Sequence, residues 1–573
     1  MKTTKKFLPD CLVKRCPQTG SIVKIRFDNV YARIAFPLVG ILALIWFLVR
    51  VLPKPSRLTY PCQQVAAGIG GSFLLHVVGI VTSLSVYRQI AKRLHKQSSM
   101  TFFGGAVIIM AIIWTVTAAQ DKANPGDSFV MTATNPEGPN KPMGEGKGIF
   151  PGRVVWARDT ASTDWDGVEK SWWDDSHTDQ KVVSRMFSDI LKAYSGKTDE
   201  KAAWEGIFKY YNKSHDRGDV TYKPGEKIVI KINCNHDRTS YEWDNEVHPS
   251  PAVIYALVSQ LIDVVGVNGD DITIAEPSQL IGNPVYDKIR SNPGKEYQNV
   301  WFAQRDDNDA PQRVKAEPDP SSSIHFTMLD TDTETFSKKI EYYLPKCYSE
   351  ATYLINLAIL RGHRVFGVTL NSKNHFGSIY WPEREKYLPG DFSNLHKKGL
   401  PSEIRLHSFT MWDYHINNKL GQPSYSPFIL GHKDLGGKEL LYLVDGIFTS
   451  KRQETGMIKF SSMGNDWAAS LLISQDPVAI QSVGTDILCN EPNVTDNNPS
   501  FIVHMDNYLI ESALAGNPPS GFKYDPENDG TFVKESLGVH EHWNNSKDKQ
   551  YSRNLGKDEG IELIKIHNDS TPK

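Results

Sequence analysis

Three long apolar runs lie within the first 120 residues of the chain. Residues 34–52, 65–86 and 102–119 contain no Asp or Glu, and the one Lys or Arg within them is Arg50, close to the end of its run. Each run is near the ~20 residues that an α-helix needs to cross a bilayer. We therefore expect three transmembrane helices over residues 34–119, with buried core helices of a soluble domain as the alternative.

Basic residues predict the orientation of these helices. Residues 1–33 hold eight Lys and Arg, and the connection between the second and third runs holds four. Short cytoplasmic segments are the ones enriched in Lys and Arg. Residues 1–33 are therefore expected in the cytoplasm, with the lipid bilayer as the partner of residues 34–119. After three crossings the large C-terminal part is expected outside the cytoplasm, which is the periplasm in a bacterium with two membranes.

Residues 120–150 are rich in Pro, Gly, Asn and Lys and show no hydrophobic period, which is typical of a linker. From residue 153 the pattern changes to alternating strands and helices. A strand over 153–157 precedes a helix to about residue 194, which Thr178 or Asp179 would cap. A buried strand over 227–233 precedes a helix over 251–265, with Ser250 as its cap.

The same arrangement continues along the chain. Predicted strands cover residues 271–275, 351–360, 365–370, 439–444 and 469–473, and a helix follows Asp476-Pro477 to about Leu488. Connections of this length suit parallel crossovers. We expect an extracytoplasmic α/β domain over 151–573 with a mainly parallel sheet covered on both faces.

Polar groups follow several of these strands. The segments are "NCNHD" at 233–237, "EPS" at 276–278, "NSKNHFG" at 371–377, "DG" at 445–446 and "SQDP" at 474–477. In open α/β sheets, ligands bind beyond the carboxyl ends of the strands. We therefore expect a shared site at this edge. The alternative is that these residues serve as helix caps and turns.

The net charge of −2 hides an asymmetry. Residues 1–100 carry 15 Lys and Arg against two acids, which leaves 49 basic and 64 acidic residues in 101–573, a formal charge of −15. Nucleic acid is therefore not an expected partner, because it requires a positive face. The six cysteines include no C-x-x-C spacing, which argues against an iron–sulfur cluster. Cys234, Cys347 and Cys489 of the outer domain allow at most one disulfide among themselves.

Six motifs follow one another in the outer domain: "EKIVIKIN", "VHPSPAVIYALVSQLI", "DITIAEPS", "VTLNSKNHFGSI", "LYLVDGIF" and "LLISQDPVAIQSVGTDIL". In this order they resemble the domain of unknown function 362 family, over roughly residues 150 to 556. The stretches "KPSRLTYPCQQ" and "GVHEHWNN" resemble a membrane-anchored subgroup of it. The resemblance implies an α/β fold and little chemistry. The iron–sulfur modules of some relatives are missing here, and Gln481 replaces the acid of their "DPVAxD"-like motif.

Imidazole and carboxylate groups near the strand ends suggest a divalent metal site. His236, Asp237 and His248 lie in one strand-to-helix connection, and Glu276 ends the next strand. Such groups bind zinc and other first-row divalent ions. No spacing here matches a signature such as H-E-x-x-H, and histidines are also common in solvated loops.

Four further side chains are candidate catalytic residues of a metal- or anion-dependent enzyme. Lys373, beside His375, would hold an anionic group or transfer protons near neutral pH. Asp445 and Asp476 would supply carboxylates at the same edge of the sheet.

The alternative function is a non-enzymatic binding module for envelope glycan or another small surface ligand. Eleven of the 13 tryptophans lie outside the three apolar runs, among them Trp172, Trp173, Trp243, Trp381, Trp412 and Trp543. Flat aromatic faces suit stacking on sugars. Ordinary core packing is the competing interpretation of the same residues.

Overall fold

A computed structural model describes residues 13–15, 22–25, 139–234, 240–330, 335–363, 366–379, 420–452, 455–495 and 500–568. The chain divides into two compact units, Met1–Pro125 and Gly126–Lys573. The described part of the first unit is an antiparallel hairpin of β1 (Val13–Arg15) and β2 (Ile22–Ile25). The three predicted transmembrane segments lie outside the described residues. Within the described ranges, no helix combines the length and the apolar character that crossing a bilayer requires.

The second unit alternates strands and helices along most of its length. Its strands are β3 (Met143–Gly144), β4 (Arg153–Asp159), β5 (Ile228–Lys231), β6 (Ile272–Glu276), β7 (Trp301–Gln304), β8 (Arg313–Lys315), β9 (Pro318–Asp330), β10 (Thr335–Pro345), β11 (Tyr353–Ile359), β12 (Arg361–His363), β13 (Gly367–Thr369), β14 (Glu439–Gly446), β15 (Ser470–Ser474), β16 (Val539–His540) and β17 (Glu562–Asn568). Its helices are α1 (Gln180–Ser195), α2 (Glu200–Ser214), α3 (Pro251–Ser259), α4 (Asn283–Arg290), α5 (Lys295–Asn299), α6 (Lys346–Ser349), α7 (Asn371–Asn374), α8 (Ser426–Gly431), α9 (Pro477–Cys489), α10 (Pro492–Thr495) and α11 (Ser500–Ala513).

Nine strands form one sheet in the order β17-β4-β15-β14-β11-β5-β6-β7-β8. Neighbours are parallel throughout, except that β15 runs antiparallel to both β14 and β4. The sheet is therefore mixed and mostly parallel, which confirms the predicted α/β class. Three smaller two-stranded pairings, β9 with β10, β12 with β13 and β3 with β16, lie outside this sheet.

The sheet separates two hydrophobic cores, because successive side chains of a strand point to opposite faces. Ile228 and Ile230 of β5 belong to the core beneath helices α1, α2 and α3, whereas Val229 belongs to the core beneath α8, α9 and the β9–β10 hairpin. Helices thus cover both faces. Full burial of each such aliphatic side chain stabilises the fold by about 1.5–3 kcal/mol.

The local signals for helix starts are confirmed. The Asp179 carboxylate accepts hydrogen bonds from the N–H groups of Lys181 and Val182, at 2.8 and 3.1 Å, and so caps α1. Ser250 caps α3 through its hydroxyl, and this helix continues into a π-helical turn, Gln260–Val265. Both caps satisfy N–H groups that have no partner within the helix.

Three sequence expectations need correction. The strand predicted at 469–473 exists as β15, but it is antiparallel to its neighbours, with Gly446 opposite Ser470. The strand predicted at 365–370 is the short β13, which pairs with β12 outside the main sheet. The linker predicted to end at residue 150 ends earlier, because β3 pairs with β16 inside the second unit. No disulfide joins any two of the three described cysteines.

Candidate functional site

A buried ion pair occupies the carboxyl ends of β5 and β6. These strands are parallel neighbours with Lys231 opposite Ala275. Lys231 and Glu276, the last residues of the two strands, therefore lie at the same edge of the sheet. Lys231 Nζ lies 2.7 Å from Glu276 Oε2, and both side chains are almost completely inaccessible to solvent. Buried opposite charges are tolerated where each neutralises the other and the remaining polar atoms are hydrogen-bonded.

The remaining bonds of this pair are also made. Lys231 Nζ donates to Asn374 Oδ1 at 2.8 Å and to the backbone carbonyl of Ile232. Glu276 accepts from the Ser278 hydroxyl at 2.7 Å and from the Cys234 N–H at 3.2 Å. Glu276, which the sequence suggested as a metal ligand, therefore has both oxygens engaged by other donors.

Among the described residues, His248 forms no potential metal-binding group with Glu276. His248 stacks on Trp243, with ring centroids 4.3 Å apart, and its Nε2 lies 3.4 Å from Asp244 Oδ1. His236 and Asp237 lie outside the described residues. Within the described ranges, the group of His, Cys, Asp and Glu side chains close enough to hold a metal ion is a different one.

Helix α7 is fastened across the sheet by buried amides. Asn374 Nδ2 donates to Asn356 Oδ1 at 2.9 Å, and Asn371 Nδ2 donates to the Leu443 carbonyl at 3.1 Å. Asn356 Nδ2 in turn donates to Glu439 Oε1 at 2.6 Å. Because α7 thereby contacts β5, β11 and β14, the side chains that it carries have fixed positions.

His375 belongs to this fastening network. Its Nε2 lies 2.6 Å from Glu439 Oε1 and its Nδ1 lies 3.0 Å from the Ser378 hydroxyl, which donates to Tyr348. His375 and Ser378 are fully buried. This acid–imidazole–hydroxyl chain links the segment after α7 to Glu439 of β14 and to Tyr348 of α6.

Lys373 has a different environment from His375. Its Nζ lies 4.1 Å from the ring centroid of Phe376 and 5.0 Å from that of Phe366. Burial, followed by the positive charges of Arg361 and Lys231, lowers the pKa of Lys373 to about 7, against a smaller opposite effect of Glu276. The amine therefore titrates near neutral pH.

Asp445 ends β14 on the opposite face of the sheet from Lys231. Asp445 lies two residues after Leu443 and so on the same face, which packs in the core beneath α3. Lys231 lies two residues after Val229, whose side chain belongs to the other core. Its carboxylate accepts from the Ser250 N–H at 2.7 Å and from the Ile447 N–H at 3.2 Å. Burial raises the pKa of Asp445 to about 6. The residue joins the end of a strand to the start of α3.

Asp476 lies at the other edge of the sheet, so the expected convergence with Asp445 is wrong. The physical reason is the direction of β15, which starts at the carboxyl edge of the parallel strands and ends at their amino edge. The Asp476 carboxylate caps α9 through Val478 and Ala479, and it also accepts from the N–H groups of Lys147 and Val539. It acts as a brace.

A separate cluster of potential metal ligands lies beside helix α9. Asp506 of α11, His540 of β16 and His542 are all buried, and one ligand atom from each lies within 4.8 Å of the other two. His542 Nε2 lies 3.3 Å from Asp506 Oδ1, whereas Asp506 Oδ2 and His540 Nε2 have no hydrogen-bonding partner among the described residues. This cluster can bind a metal ion.

Neighbouring side chains determine that Nδ1 of each imidazole carries a proton. The Ser482 hydroxyl donates to the Val478 carbonyl, so at 2.8 Å it accepts from His540 Nδ1. His542 Nδ1 lies 2.6 Å from Asp486 Oδ1 and donates to it. Neutral imidazoles with Nδ1 protonated present the lone pair of Nε2, the form that ligates metals.

The charges of the cluster are mutually balanced. Burial alone would lower the pKa of His542, but the carboxylates of Asp486 and Asp506 raise it well above its ordinary value. Burial raises the pKa of Asp506 to about 6, and burial with the neighbouring His542 lowers the pKa of His540. Without a metal ion, the cluster would hold an imidazolium between two carboxyl groups.

The sequence contained a signal for this cluster in "GVHEHWNN". Histidines two residues apart in an extended segment point to the same side, and Glu541 between them points away and accepts from the Ile561 N–H at 2.6 Å. Their carboxylate partner Asp506 is distant in sequence, so only the fold brings it to them.

A cavity of about 480 Å³ lies in the second unit, and none of the three cluster ligands lines its wall. Ile487 and Trp543, which adjoin Asp486 and His542 in the chain, form part of its wall, together with Arg158 and Lys549. It opens near the carboxyl end of β4.

Two of the six tryptophans named for sugar stacking, Trp172 and Trp543, are buried inside the fold. Trp172 is fully buried and contacts Trp243 and Phe448. Trp543 is buried against Tyr551. Trp381 and Trp412 lie outside the described residues, and the exposed large hydrophobic side chains in the described ranges include no tryptophan.

Comparison with known proteins gives a family match for the central part of the chain only. No curated protein and no solved structure matches it. The matched family segment covers the Lys231–Glu276 pair, α7 and most of α9, and it is shorter than the 150–556 span of the resemblance. Asp506, His540 and His542 lie beyond it. Residues 228–486 match the model of the family described as "Domain of unknown function (DUF362)".

Proposed function

We propose that this protein binds one divalent first-row transition metal ion through Asp506, His540 and His542. The observation that carries the proposal is the convergence of three buried side chains whose ligand atoms lie within 4.8 Å of one another, with Asp506 Oδ2 and His540 Nε2 left without a hydrogen-bonding partner among the described residues. Each buried polar atom left without a partner costs about 1–3 kcal/mol. A single ion would satisfy all of them at once.

The donor set supports this class of metal. Two imidazoles and one carboxylate suit zinc and also iron or manganese in the divalent state. Asp486 and Ser482 hold the imidazoles in the orientation that ligation requires. Three protein ligands would leave a coordination position for water, which supports the further proposal of a metal-dependent enzyme.

Metal analysis of the purified full chain tests the proposal. After reconstitution with zinc, manganese or ferrous iron and desalting, we expect about one ion per chain, because one set of three ligands makes one mononuclear site. His540→Ala and Asp506→Asn should lose the ion. His215→Ala, at an exposed histidine, is the matched control and should retain it.

A second measurement separates metal binding from a simple ion pair. A chelator should lower the thermal unfolding midpoint of the wild type and of His215→Ala, but not that of His540→Ala, because only a bound ion contributes its binding free energy to folding. Equal metal content in wild type and His540→Ala, or a chelator without effect on the wild type, would leave His542 as an imidazolium between two carboxylates.

We also propose that the protein is anchored in the membrane through residues 34–119, with its second unit outside the cytoplasm. The hydropathy runs and the distribution of basic residues support this arrangement. Glycan binding, the alternative function, is supported by no observation on the described tryptophans.

A further inference from the structure

Lys373 is a buried amine without a hydrogen-bonding partner among the described residues. In the part of the chain that the structure describes, its Nζ has no acceptor and no carboxylate within bonding distance, and its contacts are the rings of Phe366 and Phe376. The side chain is 9% exposed. A cation over an aromatic face gains about 0.5–2 kcal/mol, which is less than the desolvation of an ammonium group costs.

Lys231, which is close to Lys373, shows which partners a buried ammonium group has in this part of the fold. Its ammonium has a carboxylate partner in Glu276 and two oxygen acceptors besides. Asn374, the chain neighbour of Lys373, is one of those acceptors. The two lysines therefore lie close together, but the available oxygens serve one of them.

Glu276 offsets the charge of Lys373 only in part, since its effect on the pKa of Lys373 is smaller than those of burial, Arg361 and Lys231. Its Oε2 accepts from Lys231 and from the Cys234 N–H, and its Oε1 accepts from the Ser278 hydroxyl. A Cβ at Gly377 would collide with Oε1, so the backbone closes this side of the carboxylate. The charges that act on Lys373 besides Glu276 are those of Arg361 and Lys231, and both are positive.

We propose that Lys373 binds the anionic group, a phosphate or a carboxylate, of a small-molecule ligand at the carboxyl edge of the sheet. Such an anion would supply the acceptor oxygens and the negative charge that the described surroundings of this amine lack. Helix α7 holds the amine at a fixed place through Asn371 and Asn374. The proposal is independent of the metal cluster, whose ligands lie on α11 and around β16.

Labelling with pyridoxal 5′-phosphate tests this site, because the reagent combines an aldehyde with a phosphate. A neutral amine condenses with the aldehyde to an imine and releases water, and borohydride then reduces the imine to a stable secondary amine. At pH 7, about half of Lys373 is neutral, against less than about a thousandth of an ordinary lysine. Peptide mapping of the full chain should show Lys373 labelled at least about tenfold faster than the exposed Lys433.

Protection experiments identify the anion. Inorganic phosphate and succinate are added separately at matched ionic strength, with chloride as the control, and one of the first two should slow the labelling of Lys373 but not of Lys433. The anion that protects identifies the ligand group. Lys373→Arg should remove the labelled peptide and leave the labelling of Lys433 unchanged.

Two outcomes would overturn the proposal. One is labelling of Lys373 no faster than that of Lys433. The other is protection by chloride equal to protection by phosphate and succinate, since it would show general ionic screening rather than a site. Neither outcome depends on metal content, so this proposal and the metal proposal fail separately.

Discussion

Lys231 and Glu276 form a charge pair with almost no solvent contact, and their matched counterpart on the surface is Lys227 with Glu350. Both pairs have an N–O distance of 2.7 Å, but the side chains of the second pair are about half exposed. Removing one partner of a buried pair leaves an uncompensated charge, whereas an exposed charge is solvated by water. The two carboxylates should therefore differ greatly in their contribution to stability.

We predict that Glu276→Gln lowers the free energy of unfolding by about 3–5 kcal/mol. Glu350→Gln should change it by less than about 1 kcal/mol. Urea unfolding of the full chain, followed by tryptophan fluorescence, measures both values. Similar losses in the two variants would show that water reaches the Lys231 ammonium.

Lys373 is expected to destabilise the ligand-free protein. Its pKa is about 7 in the folded chain and 10.5 in an ordinary environment, so the folded state binds fewer protons than the unfolded state between these values. Stability should therefore rise with pH from about 7 to about 10 in the wild type. Burial is the main cause of this lowered pKa, followed by the charges of Arg361 and Lys231, with Glu276 acting in the opposite direction.

We predict that Lys373→Met is more stable than the wild type by at least about 2 kcal/mol at pH 7, and that the gain shrinks as pH rises to about 10. The buffer must contain no phosphate or carboxylate. Lys438→Met is the matched control and should destabilise, because Lys438 donates to two backbone carbonyls and pairs with Asp434. A destabilised Lys373→Met with an unchanged pH slope would contradict the prediction.

At the scale of elements, Asp476 joins three separate segments at the amino edge of the sheet. It caps α9 and accepts from Lys147, near β3, and from Val539 of β16. Asp199 is a simpler cap, exposed and bonded to the Ala202 N–H. Loss of an ordinary helix cap costs about 1 kcal/mol, and each further unpaired buried N–H adds to that cost.

We predict that Asp476→Ala lowers the free energy of unfolding by about 3–5 kcal/mol and Asp199→Ala by about 1 kcal/mol. Hydrogen exchange provides an independent measurement. Amides of β3 and β16 should lose protection in Asp476→Ala and keep it in Asp199→Ala. Unchanged protection there would mean that the carboxylate supports α9 alone.

Elements whose signals are local could be predicted from the sequence. The caps at Asp179 and Ser250 and the apolar strand at 227–233 depend on neighbours a few residues away. The lysine inside "IVIKIN" was itself a signal, since a charge in a buried strand requires a partner.

Features that depend on distant contacts could not be predicted in this way. The direction of β15 is decided by its partners β14 and β4, and a strand that is apolar on both faces has the same pattern in either direction. His542 and Asp486 are 56 residues apart in the chain, so no spacing motif contains both. The helix α11 that brings Asp506 to them was not predicted at all.

At the scale of the whole molecule, the distribution of charge supports a chain that crosses a membrane. Residues 1–100 carry 15 basic and two acidic residues, whereas residues 101–573 have a formal charge of −15. Basic segments next to transmembrane helices are retained on the cytoplasmic side, whereas acidic residues have little influence on orientation. The proposed topology therefore depends on the N-terminal region rather than on the acidic domain.

Protease accessibility tests this topology. In intact spheroplasts that express the chain with different tags at its two ends, added protease should remove the C-terminal tag and leave the N-terminal tag in place, because the bilayer excludes the protease from the cytoplasm. Lysed spheroplasts, in which both tags are accessible, are the control. If the N-terminal tag is removed from intact spheroplasts while the C-terminal domain survives, the orientation is the reverse of the one proposed. Survival of both tags in intact spheroplasts would instead place both ends in the cytoplasm and exclude an odd number of crossings.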